Sequence, residues 1–228
     1  MRKTKLENEE YYHVYNRGVE RRDIFVDKRD YERFLYLLFA CNDSLPLLNS
    51  QFFYRGFASI ETYPRERKPI VSIVCFCLMP NHFHLLLKQR VDGGISKFMQ
   101  KLGTGYTMYF NKKYSRSGVL FQGVFKSRHI DKEEYLTHLT RYIHINPAEL
   151  REPAWKEKGI LSKKDTYDFI KQYQWSSYTD YLRKGRFHKL LELEILSELY
   201  PSPKHYENFV KEWTSKDLIP IEEYVLEA

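Results

Sequence analysis

The sequence predicts an α+β chain built on a ferredoxin-like βαββαβ core, an antiparallel sheet with two helices on one face. A further helix and a small helical C-terminal extension follow it. Three observations predict this. Apolar and β-forming runs alternate with helical-period runs in the order strand, helix, strand, strand, helix, strand, helix, up to Pro147. The second and third strands are separated only by Met79-Pro80-Asn81, too short a break for anything but a hairpin. After Pro147 the long periodic runs give way to short ones.

Tyr11-Tyr12-His13-Val14-Tyr15-Asn16 is rich in β-formers and ends at Arg17-Gly18, which predicts a strand. Asp30 to Cys41 is strongly apolar and free of Gly and Pro, which predicts a helix. Asn42 to Pro69 mixes polar, aromatic and proline residues and reads as a loop or insertion, with a short helix around Leu45–Phe53. Ile70 to Leu78 is a buried strand and His82 to Lys88 its hairpin partner. Asp92-Gly93-Gly94 is a turn, and Ile95 to about Tyr114 a helix weakened by Gly103 and Gly105. Ser115 to Gly118 is a loop, Val124 to Ile130 a strand, and Lys132 to Asn146 a helix stopped by Pro147. Short helices are expected around Glu192–Leu199 and His205–Trp213. The implied organisation is a domain of residues 1–150, with an insertion at 43–69, and an extension of residues 151–228.

Hydrophobic residues make up 43% and charged residues 29% of the 228, which suits a soluble globular protein. No apolar run approaches the roughly 20 residues of a membrane span. The N-terminus lacks the apolar segment of a secretory signal. Cys41, Cys75 and Cys77 have no metal-finger spacing, and the latter two lie in an apolar stretch; a cytoplasmic location is expected. A formal charge of +7 favours a polyanionic partner, and 16% aromatic content, with 19 tyrosines, suits stacking on unpaired bases.

The residues with the sharpest chemical signal are His82 and His84. Side chains two apart on a strand share a face, so the two imidazoles form half of a metal site, with Phe83 packing on the other side. The helix 132–146 carries His138, Tyr142 and Asn146 at spacings of four, one drifting stripe. Tyr142 there is a candidate nucleophile, and Asn146 is aimed at the same metal one turn on. A divalent ion would assist a phenol of ordinary pKa near 10 by polarising the scissile phosphate. Lys112, Lys113, Arg116, Lys126, Arg128 and Arg141 surround Tyr114, Phe121 and Phe125, a pattern for a single-strand groove. The bland readings are surface histidines, one tyrosine among many, and a solvated charged face.

The run Met79-Pro80-Asn81-His82-Phe83-His84-Leu85-Leu86 resembles the metal-binding signature of the one-tyrosine HUH transposases. His13-Val14-Tyr15-Asn16-Arg17-Gly18 and the segment Gly118 to Ser127 are also similar to that family. Tyr135-Leu136, Arg141 to Pro147 and Trp175-Ser176-Ser177-Tyr178 resemble specifically the REP-associated tyrosine transposases. The resemblance spans roughly Tyr11 to Tyr178. It implies Mg²⁺ or Mn²⁺ at His82 and His84, Tyr142 as nucleophile, and single-stranded DNA hairpins as partners, with Arg17 among the DNA contacts. It implies cleavage and rejoining through a 5′-phosphotyrosine bond, by a monomer or a homodimer. Insertion-sequence relatives carry Gln four residues after the tyrosine. This chain has the shorter Asn146, leaving His138 or water as other ways to complete the shell. Two further readings stand beside this one: a non-catalytic binder of structured single strands, and a metallohydrolase using His82, His84 and water.

Overall fold

A computed structural model describes residues 6–46, 56–63, 66–183 and 185–213. Four strands, β1 (Tyr11–Arg17), β2 (Val71–Met79), β3 (His82–Gln89) and β4 (Lys126–Ile130), form one antiparallel sheet in the order β2-β3-β1-β4. With α1 (Lys28–Ala40) after β1 and α2 (Gly94–Lys113) after β3, this is the ferredoxin-like arrangement. α3 (Glu133–Ile145) follows β4.

Every residue of β2 is buried, which explains its unbroken apolar run: the strand is covered on both faces. Leu78, Phe83, Leu85 and Leu87 join α1 and α2 in one apolar cluster. Cys75, Cys77, Met79 and Leu86 point the other way, into a second cluster with α3. The molecule therefore has three layers, with the sheet in the middle. A register shift between Ile73 and Cys75 turns both Val74 and Cys75 toward the second cluster.

Local chemistry fixes the helix ends. Asp27 caps α1 by accepting from the Arg29 and Asp30 amides, and Asp30 reaches back to the Asp27 amide, a capping box. Asp30 is fully buried and also accepts from Lys113 Nζ at 2.7 Å and from the hydroxyls of Tyr109 and Tyr114, stitching α1 to α2. At the start of α2 a Cβ on Gly94 would lie 2.4 Å from the Ile70 carbonyl, so only glycine lets the helix start there.

Beyond α3 the described residues form a 3₁₀ turn (Asn146–Leu150) and five short helices: α4 (Trp155–Lys158), α5 (Lys163–Gln172), α6 (Tyr178–Leu182), α7 (Leu193–Leu199) and α8 (Pro203–Lys211). The sequence pattern anticipates α7 and α8 but not α4, α5 and α6: α4 and α6 span little more than one turn, and α5 buries only Thr166, Tyr167 and Ile170 in a largely polar run. Trp155, Ile170, Tyr178, Tyr206, Val210 and Trp213 share the second cluster with α3 and β2, so the described part of the extension shares its core with the sheet. Its segment Trp175–Ser177 pairs along the outer side of β2. The Leu78 amide donates to the Trp175 carbonyl at 2.9 Å and the Ser177 amide to the Phe76 carbonyl at 3.1 Å. In the stretch 42–69, Asn42 accepts from the Ile70 and Val71 amides, and a 3₁₀ helix (Phe57–Thr62) buries Phe57 and Ile60 in the first cluster. The short helix expected around Leu45–Phe53 falls almost wholly outside the described residues.

Candidate active site

The hairpin partner strand β3 carries His82 and His84 on the face that α3 covers in part. Their rings stand 5.0 Å apart and nearly perpendicular, His84 fully buried and His82 almost so. Strand pairing sets Arg17 opposite His82 and Tyr15 opposite His84 on β1, and Lys126 opposite Tyr15 on β4. Tyr15, Asn16, Arg17, His82, His84, Gln122 and Lys126 line a small pocket at these strand ends.

Each histidine is oriented through Nδ1. That of His82 bonds Asn81 Oδ1 at 2.6 Å, so the turn residue that breaks the hairpin also aims the first imidazole. That of His84 bonds Nε2 of His13 at 2.9 Å. With a proton on each Nδ1, the buried Nε2 is the nitrogen with a lone pair for a ligand.

Tyr142 projects from α3 with its ring edge-on to His84, 5.6 Å between centroids, in the same chain. It is fully buried, with Trp155 at 6.1 Å and Lys156 Nζ 5.6 Å over the ring. Helix spacing brings Asn146 one turn on. Its Nδ2 donates to the Tyr142 carbonyl at 2.9 Å, while its Oδ1 is buried without a hydrogen-bond partner.

The donor chemistry fits a divalent cation. Two imidazoles and an orphaned amide oxygen provide neutral N and O donors, and His82, His84 and Asn146 are the residues that would hold a divalent ion. Among the described residues no group of three or more His, Cys, Asp or Glu is placed to hold an ion. Burial pushes the Cys75 and Cys77 thiols well above their ordinary range, so the floor of this face is neutral. His138 is engaged elsewhere: its Nδ1 bonds Arg141 at 2.9 Å and its ring packs on Phe209. Tyr135 packs half-buried at the rim of the second cluster, with Lys132 Nζ 5.0 Å over its ring.

The basic residues expected to form one groove do not gather. Arg17 and Lys126 line the histidine pocket, and Arg128 stands exposed two residues along β4 on the same face. The Arg17 Nε donates to Gln122 Oε1 at 2.5 Å. Lys112, Lys113 and Arg116 lie instead on the opposite layer. Lys113 is paired with Asp27 and Asp30, Arg116 stands over Phe110, and Lys112 borders a groove between α1 and α2. Arg141 is buried, donates to the Phe209 carbonyl at 3.0 Å and packs over that ring, bracing α8. Its place is structural because position 141 on α3 turns toward the extension while position 142 turns toward the sheet. His13, Asn81 and Gln122 are the site residues the sequence did not single out. His13 alternates with Tyr15 and Arg17, but only the pairing of β1 with β3 shows which face they share.

Residues 58–146, from the 3₁₀ helix before β2 to Asn146, match the family model described as "Transposase IS200 like". No curated protein matches the chain by sequence. Among solved structures, one described as "Structure of the REP associates tyrosine transposase bound to a REP hairpin" aligns at 12% identity with a TM-score of 0.49. That alignment covers 78% of this chain and 82% of the other. Among the described residues no helix is long and apolar enough to cross a membrane.

Proposed function

We propose that this chain, whose residues 58–146 match the IS200-like transposases, is a metal-dependent endonuclease and strand transferase acting on single-stranded DNA at hairpins. The observation that carries the reading is Tyr142 edge-on to His84 within one chain, with Asn146 one turn further along the same helix.

In this reading Tyr142 Oη attacks the scissile phosphorus and gives up its proton. The bond from phosphorus to the 3′-oxygen breaks, and that oxygen takes up a proton as a free 3′-hydroxyl. The 5′ phosphate stays on the tyrosine as an ester. An incoming 3′-hydroxyl reverses the step, so the phosphodiester energy is conserved and no nucleotide is consumed. His82, His84 and Asn146 would hold the cation, which when bound polarises the phosphate and offsets its developing charge. Arg17 and Lys126, beside the histidines, hold the strand by its phosphates.

A pool of labelled hairpin oligonucleotides with randomised single-stranded flanks, incubated with Mn²⁺, tests this. The expected result is a denaturant-resistant protein–DNA adduct from the wild-type chain and none from Tyr142→Phe. An adduct that persists in Tyr142→Phe sinks the nucleophile assignment. One observation favours a second reading, a non-catalytic binder: the complete burial of Tyr142 beneath Trp155 and Lys156. It predicts hairpin retention that survives His82→Ala and His84→Ala, and no adduct under any metal.

A further inference from the structure

His13 is a fully buried polar side chain on β1, one of the two inner strands of the sheet. Its Nε2 lies 2.9 Å from Nδ1 of His84, and the two rings are close to parallel, 5.1 Å between centroids. Tyr15 stacks on His13 at 4.8 Å from the side of the same strand. A buried imidazole held this way serves the ring it is bonded to more than the packing around it. A leucine would fill the volume without the demand for a hydrogen bond.

We infer that His13 is a positioning residue for the metal site, fixing both the tautomer and the ring plane of His84. This rests on the reading of His82 and His84 as metal ligands. A histidine that ligates through Nε2 keeps its proton on Nδ1, and that proton needs an acceptor. The Nε2 of His13 is that acceptor when His13 carries its own proton on Nδ1. The bond selects the tautomer of His84 that leaves Nε2 to ligate, and it makes that nitrogen a better donor. Asn81 does the same for His82 from the turn, with an amide oxygen. The two ligands are thus set from different elements, one locally and one across the sheet.

The test is Mn²⁺ titration of the full chain, followed by calorimetry and by the electron paramagnetic resonance of unbound Mn²⁺. His13→Leu is expected to weaken Mn²⁺ about 10–100-fold. His13→Gln, which places a carbonyl oxygen at a similar reach, is expected to recover most of the loss. A role in packing alone would give the opposite order, with Leu closer to wild type than Gln. Equal Mn²⁺ affinity of His13→Leu and wild type, alongside lost binding in His84→Ala, overturns the inference and leaves the metal reading standing. A wild-type chain that takes up no Mn²⁺ overturns the metal reading, and the inference falls with it. Should His13→Leu not fold, His13→Asn replaces it. Its oxygen stops short of His84, so affinity should fall well below that of His13→Gln, and equal affinities overturn the inference.

Discussion

His144 lies two residues beyond Tyr142 on α3 and faces the extension. Its Nδ1 bonds the Tyr206 hydroxyl and its Nε2 bonds Ser177 Oγ at 2.8 Å, all of it buried. Burial lowers its pKa from 6.5 to about 3, so the ring is neutral when folded. The unfolded chain binds a proton there that the folded chain refuses. The contribution of this group to folding stability is therefore fully present above pH 6.5 and is lost as pH falls toward 3. The slope from this one group is at most about 1.4 kcal/mol per pH unit. Urea unfolding of the wild-type chain across that window should show the decline. A His144 ring seen by NMR to titrate near 6.5 in the folded protein would contradict it. Tyr142 and His144 lie on opposite sides of one helix, and the extension touches both: Trp155 and Lys156 pack on Tyr142, while Tyr206 and Ser177 bond His144.

Among the elements, β4 and α2 divide the basic charge that the sequence presents as a single cluster. If strand-binding is on the histidine face, Lys126→Ala and Arg128→Ala should each lower the salt dependence of hairpin binding by about one unit of slope. Lys112→Ala should leave it unchanged. Equal effects at Lys112 and Lys126 would show that DNA also covers the α1–α2 layer. The elements themselves were legible: the four strands and α1, α2 and α3 fall within one or two residues of their expected limits, the helices because their runs show a period and β2 because its apolar run is unbroken between turn residues. The histidine pair was legible for the same reason, since strand alternation needs no knowledge of neighbours. The layer on which Lys113 or Arg116 lies was not, because that depends on which way α2 packs. The structural use of Arg141 was equally hidden, since its partner, the Phe209 carbonyl, comes 68 residues later.

At the scale of the whole molecule, the chain after Pro147 completes a core that the sheet and α3 leave half-built. Trp155 packs against both Tyr142 and Trp213, so the extension reaches from the candidate nucleophile to the end of the described chain. The segment Trp175–Ser177 has a consequence for the company this molecule can keep. A bare sheet edge is a template on which a second copy can add its own strand. Here the β2 side is already occupied by the chain itself, and the β4 side is five residues long and carries the exposed charges Lys126 and Arg128. Among the described residues, neither border offers a long bare strand to a second copy. Ser177→Pro removes the amide that donates to Phe76 and should unseal the β2 border. Light scattering of that variant should rise with concentration where the wild type stays flat. A variant that scatters like the wild type would mean that the rest of the extension shields the border alone.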